Sequence, residues 1–228
     1  MLKLRTSLSL IFKIIVIFAS LFGVFLSFFT AVKDGYSGWE KRLLYFTAQS
    51  NLFLGLVFLT ILLFSAFNIR AYARCRRVLY LLKYMATVMI SITFFVFSFM
   101  LLPFADESYH LMSLTSILTH FVSPIFAIVD FLTDSYKPKL RRWHILLTAV
   151  PPIIYTIEAF ILELLNVDFG RGVSYPYYFM DFKGPAGFFG FSLSPFGIGY
   201  VYPIIFLTAC VLLFGLLFYK ICVKNTKK

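Results

Sequence analysis

The sequence predicts an all-α, polytopic membrane protein with six transmembrane helices. It places both termini in the cytoplasm and a long aromatic, glycine-rich outer loop between helices 5 and 6. Three observations carry this expectation. Of 228 residues, 61% are hydrophobic and only 14% charged, more apolar surface than a soluble domain of this size can hide, so the solvent must be lipid. Six apolar stretches, 8–31, 45–68, 80–104, 113–133, 145–165 and 200–221, each approach the ~20 residues that a helix needs to span a bilayer. Lys and Arg alternate between the connections: 14 of 21 lie in 1–7, 69–79, 134–144 and the tail from Lys220, against 5 in 32–44, 105–112 and 166–199. That is the positive-inside pattern. Residues 1–228 read as a single six-helix transmembrane domain, with no soluble domain, long linker or low-complexity tail.

The first stretch follows Lys3 and Arg5 as a signal peptide would. Its apolar run is too long for an h-region and lacks a small-x-small cleavage site, so it reads as a helix. Lys13, near its inner end, can snorkel to the interface. The second stretch opens LLYFTAQSNLFLGL (43–56), with Thr47, Gln49, Ser50 and Asn51 in its first turns and Leu54, Val57 and Phe58 below them. Such an opening is either a cap at the water boundary or one wall of a site. The third carries a weak polar stripe of Tyr84, Thr87, Ser91 and Ser98. In the fourth, Ser113, Ser116, His120, Ser123, Ala127 and Asp130 recur at steps of three and four, which puts them on one helix face. Asp130, at the cytoplasmic end, is expected to meet Arg or Lys of 134–144. The fifth holds Tyr155 and Glu158, with Glu163 nearer its outer end, and only Pro151 and Pro152 interrupt it. The first and sixth are nearly free of polar groups in mid-membrane and read as lipid-facing scaffold.

The net charge of +11 does not indicate nucleic acid. RAYARCRR (70–77) and KPKLRR (137–142) sit beside membrane spans, where basic clusters meet anionic headgroups. Cys75, Cys210 and Cys222 form no disulfide framework, and reduced thiols are expected. The chain has no C-x-x-C, H-E-x-x-H, phosphate-binding glycine loop or nucleotide motif, and its histidines are scattered at 110, 120 and 144. No metal and no cofactor is expected.

Polar side chains inside a membrane face the protein interior, and an ionisable one is a functional-site candidate. At ~1.5 Å per residue, Thr47 lies about one turn below the outer boundary, Asn51 about two, and His120 roughly 10 Å deep. Glu158, on the ascending fifth helix, is again in the outer half. Thr47, Asn51, His120 and Glu158 therefore share one layer, which favours a site over a simple cap.

The loop 166–199 holds seven of the 12 glycines and ten aromatic residues in 34 positions. A solvated loop would be richer in Ser, Lys and Glu. This one is expected to lie in the interface as an aromatic belt or fold back as a lid over an outward-facing pocket.

Four blocks carry a resemblance: YFTAQSN (45–51), LTHFVSPIFAIVDF (118–131), PPIIYTI (151–157) and DFGRGVSYPYYFMDF…GPAGFFGF (168–191). Together they resemble a family of uncharacterised bacterial six-helix integral membrane proteins over nearly the whole chain. That family is distantly similar to the androgen-induced membrane hydrolases, which cleave fatty acid esters of hydroxy fatty acids with an intramembrane threonine and a histidine. The resemblance implies Thr47, in its F-T context, as nucleophile and His120, within THFVSP, as its partner. Tyr175, Pro176 and Phe179 match the related Y-P-F block. The surroundings of Thr47 otherwise depart from the hydrolases, and fold carries over more safely than chemistry.

The expected function is a lipid-ester hydrolase opening to the outer leaflet of a cell membrane, the bacterial plasma membrane on the resemblance. Thr47 would attack while His120 takes its proton. Depth and spacing, apart from the resemblance, suggest Glu158 to orient the imidazole and Asn51 to donate to the oxyanion. Tyr155, Tyr175, Tyr177 and Phe179 would contact the substrate, and the partners would be membrane lipids and a hydrophobic ester or acyl ligand. Two other readings stay open: a transporter using His120, Glu158 and Asp130, against which no internal repeat is found, and a non-catalytic lipid- or partner-binding protein.

Overall fold

A computed structural model of the chain describes residues 2–67, 69–104, 113–192 and 197–225. Among them six helices are long and apolar enough to cross a membrane: α1 Leu8–Thr30, α2 Phe46–Phe67, α3 Arg70–Leu101, α4 Leu114–Thr133, α5 His144–Leu164 and α6 Val201–Lys224. They coincide with the six apolar stretches except that α3 starts at Arg70 rather than near 80. The run RAYARCRR, read as a connection, is helical. It contains neither Gly nor Pro, and Arg, Ala and Leu are strong helix formers. The connection 105–112 and the last two lysines lie outside the described residues.

Local chemistry sets the helix ends. Ser113 caps α4, its hydroxyl accepting the Ser116 N–H at 3.3 Å. Asn166 (φ 53°) ends α5 in the left-handed region. The Asn166 N–H donates to Glu163 O at 3.0 Å and the Val167 N–H to Leu162 O at 3.0 Å, the paired bonds of a Schellman cap. Pro151 and Pro152 start the longer section of α5 at Val150, where the missing N–H groups interrupt the ladder.

The core lies around α3. Of its most apolar window 61% is buried, against 22% for α5 and for α6. It packs on α2, α4 and α6, and α1 closes against α2 and α4. The lipid-facing scaffold expected of the first and sixth helices holds for α6; α5 shares it, and α1 is somewhat more buried at 28%. α1 is drawn inward because small residues let it approach closely. A Cβ on Gly55 of α2 would stand 2.5 Å from the Leu21 side chain, and one on Gly23 of α1 would stand 2.8 Å from Thr119 Cγ2.

Three helices contain a widened π turn: Phe18–Phe22 in α1, Phe97–Leu101 in α3 and Leu118–Val122 in α4. The turns of α1 and α4 lie against each other, and Phe97 of α3 stacks on His120 of α4. Such turns are rare and frequently occur at functional sites.

At the basic end, Asp130 does not meet the 134–144 loop. It is fully buried and pairs with Lys13 at 2.8 Å and Lys83 at 2.5 Å. Lys83 also reaches Asp134 at 2.5 Å, and Ser9 Oγ donates to Asp130 at 3.0 Å. Lys13 consequently turns inward instead of snorkelling, since an intramembrane carboxylate supplies a better partner than the interface.

The segment between α5 and α6 packs onto the opposite end. Phe169 is completely buried. Tyr45 Oη donates to Phe169 O at 3.2 Å, Ser37 N–H to Gly170 O at 2.8 Å and Tyr178 Oη to Met100 O at 2.8 Å.

Candidate functional site

Thr47 is the second residue of α2, and His120 lies inside the π turn of α4. Thr47 Oγ1 stands 3.2 Å from His120 Nε2. On the other side of the ring, Nδ1 is 3.1 Å from the Ser116 carbonyl oxygen and 3.2 Å from Thr119 Oγ1. The Thr119 hydroxyl donates to Thr115 O at 2.8 Å, so both neighbours of Nδ1 present acceptors. The proton therefore belongs on Nδ1, and Nε2 carries the free lone pair toward Thr47. Phe97 lies over the imidazole with centroids 3.9 Å apart and planes 21° apart, which fixes the ring orientation.

Asn51 braces this pair from behind. Its Nδ2 donates to Thr47 O at 2.9 Å and Thr119 O at 3.1 Å, while Oδ1 accepts from Ser123 Oγ at 2.5 Å. With both amide hydrogens engaged by carbonyls and the side chain fully buried, Asn51 ties α2 to α4 and does not supply the expected oxyanion donor. Glu158 is also placed elsewhere. Gln49 Nε2 donates to its two carboxylate oxygens at 3.2 and 3.1 Å. Gln49 is two residues beyond Thr47, about 200° around the helix, so Glu158 meets the far side of α2. The Ser116 carbonyl takes the orienting position expected of Glu158.

Thr47 opens onto a cavity of about 160 Å³ between α2, α3, α5, α6 and the turn 177–180. Of the four residues expected to contact a substrate, Tyr155, Tyr177 and Phe179 line this cavity and Tyr175 does not. Its other hydroxyls are turned away. Thr156 donates to Pro152 O at 2.9 Å, Thr208 to Ile204 O at 2.8 Å, and Thr93 is bonded to Ser50 at 2.9 Å. Polar groups remain only at the Thr47 end. There the Tyr155 hydroxyl donates to Leu44 O at 3.2 Å. Tyr177 stands beside Thr47 in the cavity wall. Burial pushes the Tyr177 phenol up to about 12, against the opposing pull of the neighbouring Thr47 and Tyr155, so it stays protonated and able to donate.

No known protein family, characterised protein or solved structure matches the chain. Several contributors escaped the sequence reading. Phe97, Tyr177 in its contact with Thr47, and the Ser116 carbonyl carry no local pattern that marks them. Lys13 and Lys83 did carry one, because two intramembrane cations call for an intramembrane anion, and Asp130 was the available choice.

Proposed function

We propose that the chain is an intramembrane hydrolase of lipid esters, with Thr47 as nucleophile and His120 as general base. The observation that carries this reading is the 3.2 Å contact between Thr47 Oγ1 and His120 Nε2 at the wall of an apolar cavity. A hydroxyl is a poor nucleophile without an adjacent base, and here the base is held in the required tautomer by Ser116 O. The resemblance to the androgen-induced hydrolases points to the same two residues.

In the first step Thr47 Oγ bonds to the ester carbonyl carbon and its proton passes to Nε2. The developing oxyanion takes hydrogen bonds from the Tyr177 hydroxyl and the Thr47 N–H, with the positive end of α2 behind them. The tetrahedral intermediate collapses, the alcohol leaves with the proton from Nε2, and an acyl-threonine remains. Water then attacks that ester, gives its proton to Nε2, and releases the acid and the free hydroxyl. Base catalysis of this kind contributes ~10²–10⁴-fold.

The charge distribution puts both termini in the cytoplasm and the site in the outer leaflet of the cell membrane. A serine- and threonine-directed fluorophosphonate labels the wild type and not Thr47→Ala on this reading. Labelling that survives the substitution removes Thr47 as nucleophile. A topology reporter after Lys228 reads cytoplasmic and one near Lys183 external; the reverse moves the site to the inner leaflet. The cavity also suits a lipid held without chemistry, and a wild type that hydrolyses no ester favours that binding role.

A further inference from the structure

The cavity beside Thr47 has a polar end and an apolar body, and its body is more informative than its end. Its lining includes no charged side chain. Three of its threonines have spent their hydroxyls on backbone carbonyls or on Ser50, so they present methyl groups. Ile204, Leu207 and Val211 form successive turns of α6 along its length. Its wall also includes Ile153 and Ile157 of α5, 45% and 53% exposed on the apolar outer surface of the bundle. The space therefore runs from the Thr47 hydroxyl to the surface that faces lipid, between the two least-buried helices.

We propose that this cavity is an acyl slot: an uncharged bilayer ester slides in sideways between α5 and α6, lays its chain along Ile204, Leu207 and Val211, and presents its carbonyl to Thr47. This inference rests on the hydrolase reading and specifies its substrate class. Sideways admission follows because an acyl chain already in the bilayer exchanges one apolar surrounding for another. A phosphate or carboxylate drawn into the slot would lose its water with no cation to meet it. The volume sets the chain length that is felt. An apolar cavity of about 150 Å³ holds a molecule of benzene's size, so the slot grips on the order of six carbons next to the carbonyl. The rest of a longer chain stays among lipids.

The test uses full-length protein in mixed micelles and a series of neutral monoacylglycerols of increasing acyl length. The kcat/KM should climb steeply to about six acyl carbons and then level. Half-buried Leu207 is the position to alter. Leu207→Trp should reduce kcat/KM for long-chain esters at least tenfold relative to an acetate ester, with the melting temperature of the same sample showing that the protein is folded. Leu207→Ala should move the plateau to longer chains. Loss of long and short esters in equal proportion, or no change in chain preference with either variant, would overturn the slot and leave Thr47 chemistry standing. Faster hydrolysis of phosphatidylglycerol than of a diacylglycerol with the same chains would overturn the neutral substrate class. A Thr47→Ala protein as active as wild type would instead remove the hydrolase reading itself.

Discussion

Two polar clusters, each partly buried, occupy opposite ends of the bundle, and they are built differently. At the basic end, Lys13, Lys83, Asp130 and Asp134 bring two positive and two negative charges together. At the other end, Thr47 and His120 are both neutral, and Thr47 borders a cavity. In the first cluster each charge is spent on another, and a buried pair of this sort holds helices in register without offering a group to a ligand. In the second, the hydroxyl and the imidazole lone pair face each other with open space beside them. Partial burial of polar groups is common to both; what separates a tie from a candidate site is whether the reactive atom meets space.

The sharpest way to break this comparison is to remove the pair. Thr47→Ala and His120→Ala should each lower turnover by ~10⁴-fold or more. The double variant should be no worse than either, because groups acting as one unit are not additive. Thermal stability of the same samples should fall by only about 0.5–2 kcal/mol, the cost of a lost cap or hydrogen bond. A double variant whose losses multiply would show that the two residues do not act together.

The opposite result is expected at the basic end. Asp130→Ala leaves two buried lysines to share Asp134, and breaking a buried pair costs about 3–5 kcal/mol. The melting temperature should drop steeply while the folded fraction retains wild-type specific activity. If Asp130→Ala abolished turnover at unchanged stability, the ion cluster would belong to the mechanism and the transport reading would return. A third substitution grades the active end. Tyr177→Phe removes one oxyanion donor and should reduce kcat by ~10²–10³-fold with KM little changed. A change confined to KM would make Tyr177 a wall of the cavity only.

The same contrast explains what the sequence could disclose. The six spans were legible because lipid imposes length and composition on each of them. The Thr47 and His120 layer was legible because depth follows from the rise per residue. Glu158 shared that depth, yet depth does not fix the direction a side chain faces. Gln49 and Thr47 stand two positions apart and look to opposite sides of α2, so one layer divides into two contacts. Asn51 shared both depth and face with Thr47, but its amide is consumed by the carbonyls of Thr47 and Thr119. Those carbonyls, and the Ser116 carbonyl that orients His120, belong to the backbone and leave no trace in residue type. The π turn that accommodates His120 is equally silent, since Leu118–Val122 reads as ordinary helix.

Glu158→Gln sharpens that division. Its carboxylate holds Gln49 on the side of α2 away from His120, so the substitution keeps shape and removes charge where no proton moves. The rate should stay within about twofold of wild type, and stability should change by less than about 1 kcal/mol. A fall in kcat accompanied by a shifted pH–rate profile would restore Glu158 to the orienting role that Ser116 O fills.

The smallest effect is expected where a carboxylate is held at the surface. Asp168 Oδ1 accepts the Gly170 N–H at 2.7 Å and the Gly172 N–H at 3.0 Å, and Oδ2 accepts from Ser37 Oγ at 3.0 Å. Gly170 and Gly172 take φ of 107° and 72°, so the turn depends on residues without a Cβ and on these bonds to stay closed. The Gly170 amide does most to hold the Asp168 carboxyl below its ordinary range, with Ser37, Gly172 and Lys41 assisting against the opposing effect of burial. A depressed carboxylate stabilises the folded state above its ordinary pKa, and that contribution fades as pH falls through the lowered value. Asp168→Asn keeps an acceptor for the amides and loses the charge. Hydrogen exchange at Gly170 and Gly172 should therefore be faster in the variant near neutral pH, and the difference from wild type should close only as pH falls below the ordinary carboxylate range. A difference that persists unchanged at low pH would mean that geometry, rather than charge, keeps this turn closed.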